Sequence, residues 1–355
     1  MKLSQYTRLT LVFSILLPAA YALAGAPGSG YHLLKKVSYG AAPGIGATRE
    51  YFDYVIFDPA ARRVYFTHGT EVDVVNADTA EKVGSITGDW KRVHGVALVP
   101  DLNRGFITDG DAANIIMFDL KTLQVTKTIK GENDADWILY DTASKRVFAF
   151  NGDSHSATVI DPAKGEVIKS IPLGGAPEQA VADGKGMIYD NIESTNEIVA
   201  IDSNDLTVKS RWPVAPAGQP VSIAMDRKNR RLFIGGRNPK MLVMMDADSG
   251  KVIGEAFPIG DRVDANIFDP STNTVASATR EGTLHVFHED SPDKFSEVET
   301  VKTEYGAKTM GLDTKTHNLF LTTADFGEAP APTADHPHPG RSPIMGTFHV
   351  LVYGR

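Results

Sequence analysis

The fold is indicated by a unit that begins Tyr54-Val-Ile-Phe-Asp-Pro-Ala-Ala-Arg-Arg-Val-Tyr-Phe-Thr67 and continues with Val72-Asp-Val-Val75. Its apolar runs are short, rich in β-branched and aromatic residues, and separated by Asp, Pro and Gly. Such runs are typical of β-strands joined by tight turns. The unit therefore predicts four strands, at residues 54–57, 64–67, 72–75 and 82–86.

The same unit returns along the chain about every 42 residues. The turn after its first strand falls at Asp58, Val99, Asp141, Asp183, Asp226, Asp269 and Asp313. Four antiparallel strands in a repeat of this length are typical of one blade of a β-propeller. Seven units predict an all-β, seven-bladed propeller of four-stranded antiparallel blades.

The two ends of the chain predict how the ring closes. The seventh unit has only three strands, the last at residues 347–353, and one unassigned strand precedes the first unit at residues 31–38. Pairing these two segments would complete the last blade and remove two exposed strand edges. We therefore expect residues 25–355 to form one propeller domain whose last blade is closed by the N-terminal strand.

The first 24 residues have the features of an export signal. Lys2 and Arg8 precede an apolar stretch, and Ala22-Leu23-Ala24 resembles a signal-peptidase site before Gly25. We expect a signal peptide at residues 1–24, no membrane span after its cleavage, and a secreted or periplasmic protein.

Net charge and cysteine content exclude several classes of binding partner and metal site. The net charge is −8, which argues against general nucleic-acid binding. The chain has no cysteine, which excludes disulfides, cysteine-ligated zinc and iron–sulfur clusters. The sequence leaves open whether a cofactor is bound, and we expect a monomer.

The second strands carry a family resemblance. Val64-Tyr-Phe-Thr-His-Gly69, Gly105-Phe-Ile-Thr-Asp-Gly110 and Val147-Phe-Ala-Phe-Asn-Gly152 resemble the signature of YVTN-repeat β-propellers. The likeness extends over residues 31–355 and is greatest to the exported YncE-like group. It implies an exported seven-bladed propeller and supplies no catalytic motif.

A polar ring is predicted where the first strands begin. In a propeller these strands line the central channel. The position five residues before each turn marker is occupied by Asp53, His94, Asp136, Glu178, Val221, Asp264 and Lys308. We expect the polar members to surround the channel mouth above an apolar layer. Four carboxylates near one axis would repel each other, and a cation would relieve that repulsion. Hydrogen bonding to loops of neighbouring blades would be an alternative, purely structural role.

The loops between the second and third strands should share the same face. They add His68, Asn191 and Arg237 as candidate ligand-binding residues. In the seventh unit this loop is a long, proline-rich insertion at residues 324–345, which predicts a lid or an interaction arm. Its His336-Pro337-His338 segment is a candidate for metal binding or for an exposed loop without a ligand.

Two functions fit these observations. The first is a non-enzymatic scaffold that binds a small molecule, a cation or a protein at the channel-mouth face. The second is a metal-dependent hydrolase of lactones or esters, with the metal in the acidic ring and His94 as base. No nucleophile motif of serine hydrolases is present.

Overall fold

The computed structural model describes residues 30–41, 50–333 and 339–355. These residues form seven four-stranded antiparallel sheets arranged as the blades of a β-propeller. The predicted fold class is therefore confirmed. Helical turns in the described ranges are three 3₁₀ segments, Pro100–Leu102, Gly110–Ala112 and Glu193–Thr195. None of the helices described is long and apolar enough to cross a membrane.

Each of the first six blades uses four strands that are consecutive in the chain. Blade 1 contains β2 (Phe52–Asp58), β3 (Arg63–His68), β4 (Glu71–Asn76) and β5 (Lys82–Thr87). Blade 2 contains β6 (Val93–Val99), β7 (Arg104–Asp109), β8 (Asn114–Asp119) and β9 (Val125–Lys130). Blade 3 contains β10 (Ala135–Asp141), β11 (Arg146–Asn151), β12 (Ser156–Asp161) and β13 (Glu166–Pro172).

The remaining blades follow the same plan. Blade 4 contains β14 (Pro177–Ala182), β15 (Met187–Ile192), β16 (Glu197–Asp202) and β17 (Thr207–Pro213). Blade 5 contains β18 (Pro220–Asp226), β19 (Arg231–Arg237), β20 (Lys240–Asp246) and β21 (Val252–Pro258). Blade 6 contains β22 (Val263–Asp269), β23 (Thr274–Thr279), β24 (Thr283–Ser291) and β25 (Lys294–Lys302).

Blade 7 joins the two ends of the described chain. It contains β26 (Met310–Leu312), β27 (Leu319–Thr323), β28 (Phe348–Gly354) and, as its outer strand, β1 (His32–Gly40). β1 runs antiparallel to β28, with Val37 opposite Val350. The N-terminal strand thus closes the last blade as predicted, and β28 has no exposed edge.

The innermost strands form a closed ring around the central channel. β2, β6, β10, β14, β18, β22 and β26 pack in this order, and β26 returns to β2. Apolar side chains fill each junction between neighbouring blades. Between blades 3 and 4, for example, Phe148 and Phe150 pack in one buried cluster with Ile188. The ring of blades is therefore held together by burial, which suits a chain without disulfides.

Candidate ligand-binding site at the channel mouth

The predicted ring positions lie on local irregularities of the inner strands. In blade 1 the pairing moves from Phe52–His68 to Val55–Phe66, so the inner strand contains one extra residue. The same kind of shift occurs at the start of the inner strand in the next five blades. An extra residue in one strand re-aims the side chains beside it. The bulges explain how the ring residues reach the channel although the strands present their edges to it.

Two aspartates and a histidine from the first three blades form one cluster. His94 Nδ1 lies 2.9 Å from Asp53 Oδ2 and 3.0 Å from Asp136 Oδ1. The hydroxyl of Tyr51 donates to Asp53 at 2.9 Å and also lies 2.8 Å from His94 Nδ1. Burial opposes protonation, but the two aspartates raise the pKa of His94 to about 10. His94 is therefore an imidazolium cation at neutral pH.

Lysine and arginine neutralise the other side of the ring. Lys308 Nζ contacts Asp264 and lies 3.4 Å from Asp53 Oδ1. Arg237 contacts the second oxygen of Asp264. Burial alone would raise the pKa of Asp53, but Lys308 and His94 lower it well below its ordinary value. Lys308 stays cationic, because the attraction of Asp264 and Asp53 outweighs the effect of burial on its pKa.

Glu178 is the remaining carboxyl group of the ring. Burial, together with the charge of Asp136, raises its pKa well above the ordinary value of 4.5. The carboxyl group of Glu178 therefore favours its neutral, protonated form. The three aspartates of the ring are then balanced by His94, Lys308 and Arg237. The expected repulsion within the ring is therefore largely compensated by groups of the protein itself.

Two of the predicted ligand-binding residues are placed away from the mouth surface. His68 is fully buried, with Nε2 2.7 Å from Glu50 Oε1 and its ring stacked on Phe348. Asn191 is also fully buried and donates to the carbonyl of Gln179 at 3.0 Å. Their placement does not support ligand contact, because each side chain is engaged by neighbouring residues and has no surface open to a ligand.

A pocket of about 190 Å³ opens beside Lys308, between the ring and the insertion of blade 7. Its lining residues are Glu50, Tyr51, Phe52, Arg280, Gly306, Lys308, Phe326 and Pro343. Phe326 and Pro343 belong to the insertion and face each other across an isolated β-bridge. The base of the insertion therefore forms one side of the pocket. The His336-Pro337-His338 segment lies outside the described residues.

Three residues that line this pocket, Arg280, Phe326 and Tyr51, were not predicted from the sequence. Arg280 follows β23 in an ordinary turn, and Phe326 lies in an insertion that has no counterpart in the other blades. Tyr51 stands two residues before the first ring position. Of the pocket residues, only Lys308 could be predicted from its position in the repeat. The others come together where the blade 7 insertion interrupts the repeat.

Three groups of side chains in the described residues have donor atoms close enough to share a metal ion. They are Asp53, His94 and Asp136; His68, Glu71 and Asp73; and Glu304, Asp325 and His349. In the first group the Nδ1 atom of His94 is already held by two carboxylates and a tyrosine hydroxyl. A metal there would have to displace the proton from a group whose pKa is about 10.

Comparison with known proteins supports the fold and leaves the activity open. A family model described as a domain of unknown function, DUF5074, matches residues 60–223, less than half of the chain. No curated protein matches the sequence.

Three solved structures illustrate the similarity of fold. Hydrazine synthase from Kuenenia stuttgartiensis is similar with a TM-score of 0.67 at 13% identity, over 76% of this chain and 91% of that chain. U3-55K has a TM-score of 0.70 at 9% identity, over 92% and 99%. A chain of a mitotic checkpoint complex has a TM-score of 0.72 at 13% identity, over 98% and 99%. At such low identities these similarities show the fold alone.

Proposed function

We propose that this chain is an exported β-propeller of the YVTN-repeat type that binds a small molecule at the channel-mouth face without converting it. The observation that carries the proposal is the pocket between the ring and the blade 7 insertion. It combines aromatic side chains with charged groups, of which Lys308 is held by the aspartates of the ring. Concave sites with apolar sides and a few placed polar groups are the usual form of a ligand site.

The ring beneath the pocket supports binding more than catalysis. Asp53, Asp136 and Asp264 are each in contact with a cationic side chain. A general base must be unprotonated near neutral pH, whereas His94 is cationic. The ring therefore supplies paired charges at fixed positions beside the pocket.

The proposal is tested by screening small fragments against the protein with ligand-detected NMR. A second pocket, lined in part by Leu102, Tyr140 and Ile168, supplies the matched control. We expect Phe326→Ala to abolish most fragment signals and Tyr140→Ala to leave them unchanged. The opposite pattern, with signals lost only in Tyr140→Ala, would place ligand binding elsewhere and contradict the proposal.

Export is part of the proposal and is tested separately. The motivation is the charged, apolar and A-x-A pattern of residues 1–24. The full chain with a C-terminal tag, expressed in a Gram-negative host, should yield a periplasmic protein that starts at Gly25. A cytosolic protein that retains Lys2 and Arg8 would contradict export. We also propose a monomer with no general affinity for nucleic acid.

A metal-dependent hydrolase is the second candidate. One observation favours it: donor atoms of Asp53, His94 and Asp136 all lie within 4.8 Å of one another. Calorimetric titration with Ca²⁺, Zn²⁺ and Mn²⁺ decides the question, with Asp136→Asn as the variant. Tight binding of one ion that disappears in the variant would favour the hydrolase over the scaffold.

A further inference from the structure

Two arginines near the mouth pocket have no acidic partner in the described ranges. Arg92, Arg230 and Arg231, by contrast, each contact at least one aspartate. The guanidinium of Arg280 lies 6.0 Å from the ring centre of Phe326, and that of Arg341 lies 5.1 Å from Tyr305. Cations over aromatic rings at such distances are attracted by the rings but keep their hydrogen-bond donors available.

The two aromatic rings connect these arginines. Tyr305 and Phe326 meet edge to face, with their centres 4.9 Å apart. Gly306 allows this arrangement, because a Cβ atom at that position would lie 2.3 Å from Phe326 Cε2. The backbone N–H of Gly306 donates to the carbonyl of Arg280 at 2.8 Å, which fixes the turn that carries Arg280. Arg280 and Phe326 are therefore held together at the pocket.

Lys308 adds a second cation to the lining of the pocket. Its ammonium group has three N–H donors and contacts two aspartates, Asp264 and Asp53. Its side chain is 23% exposed, so it is open to the pocket. The carboxylate that lines the pocket, Glu50, is buried and has its oxygens at 2.7 Å from His68 Nε2 and from the Gly346 N–H.

The rest of the lining is apolar or aromatic. Phe52, Phe326, Pro343 and the ring of Tyr51 surround the cationic groups. We propose that the pocket binds a small monocarboxylate with a flat apolar body, its carboxylate against Arg280 and Lys308 and its body against Phe326. This inference rests on the proposed function, and it names the class of ligand.

The charges near the pocket favour one negative charge over several. Arg280 has no acidic partner in the described residues, whereas Lys308 already contacts Asp53 and Asp264. A dianion or polyphosphate would be repelled by these aspartates and by the net charge of −8 on the protein. Arginine also matches a carboxylate with two parallel hydrogen bonds, which adds selectivity to the charge.

Benzoate, benzamide and benzamidinium test the inference, because they share one shape and differ in charge. Each is titrated by ligand-detected NMR into the mature protein, into Arg280→Gln and into Arg262→Gln. Arg262 lies in the neighbouring loop and is 56% exposed, so its substitution removes the same charge outside the pocket lining. We expect benzoate to bind tightest, and Arg280→Gln to weaken it roughly tenfold or more. Arg262→Gln should have little effect, and both variants should melt like the wild type.

The outcomes separate this inference from the proposed function. Preference for benzamidinium or benzamide, with signals still lost in Phe326→Ala, would overturn the carboxylate inference and leave pocket binding intact. Inorganic phosphate that binds as tightly as benzoate would also overturn it, because an apolar body would then contribute nothing. Loss of all binding in Tyr140→Ala but not in Phe326→Ala would overturn the proposed function itself.

Discussion

His94 shows how one residue links the ring to the stability of the propeller. Its pKa is about 10 in the folded protein and near 6.5 in an unfolded chain. Because the folded value is the higher one, protonation stabilises the folded state. The contribution is complete below about pH 6.5 and is lost as the pH rises through about 10.

His94→Gln should therefore flatten the pH dependence of stability between about pH 7 and 10. Gln cannot carry the charge that interacts with Asp53 and Asp136. We expect the free energy of unfolding, measured in urea, to fall more steeply with pH in the wild type than in the variant. The two slopes should differ by at most about 1.4 kcal/mol per pH unit. Parallel curves for the two proteins would show that His94 is not protonated in the fold.

Gly306 is the residue that positions Phe326 in the pocket. Its φ of 89° disfavours a side chain, and an added Cβ would collide with the Phe326 ring. Gly306→Ala should lower stability by roughly 1 kcal/mol or more and move Phe326. Gly40 is a matched control: its φ is 82°, and no atom of the described residues lies within 4 Å of an added Cβ.

Fragment binding distinguishes the two glycine variants. Both should lose some stability through backbone strain, but only Gly306→Ala should lose binding at the mouth pocket. Equal binding in the two variants would show that the position of Phe326 does not determine the pocket.

Among the strands, β15 contains an ionisable residue where the other blades bury apolar or small ones. Asp190 pairs with Ala180 of the inner strand. The equivalent residues are Phe66, Ile107, Ala149, Ile234, Ser277 and Leu321. Both carboxylate oxygens of Asp190 are buried without a side-chain partner in the described ranges. Burial raises its pKa well above 3.8.

Asp190→Asn should become more stabilising relative to the wild type as the pH rises. The folded state of the wild type must keep Asp190 protonated, whereas the unfolded chain ionises it above about pH 4. The stability difference should grow by up to about 1.4 kcal/mol per pH unit between pH 5 and 8. Urea unfolding at both pH values measures it, and a constant difference would show that Asp190 is ionised in the fold.

The strands and the ring were predictable to different degrees. Turn residues such as Asp58 and Asp141 recur at fixed spacing, so the blades and the closing strand follow from the repeat. The ring positions follow as well, but their convergence depends on bulges that alternation of side chains does not reveal. His68 occupies a loop position by spacing, yet its side chain is buried and paired with Glu50. Arg280 and Phe326 were missed because they come together where the blade 7 insertion breaks the repeat.

Closure of the ring of blades depends on the pairing of β1 with β28. Tyr39 of β1 packs near Phe66 and Phe348, and Tyr31 beside β1 donates to the carbonyl of His317 at 3.1 Å. Removing residues 30–40 should cost roughly 3 kcal/mol or more, because buried aromatic side chains are lost and the edge of β28 is exposed.

Thermal unfolding and light scattering measure the effect of that truncation. A chain that begins at residue 30 is the control, and a peptide of residues 30–41 added in excess should restore part of the lost stability. A truncated protein that melts like the control and stays monomeric would contradict closure by β1.

We propose the pocket between the ring and the blade 7 insertion as the ligand site. Crystals of residues 25–355, soaked with benzoate and with the fragments that bind in solution, test this assignment. We expect ligand density between Arg280 and Phe326, with the carboxylate towards Lys308. Density that recurs instead in the pocket beside Tyr140, with the mouth pocket empty, would contradict it.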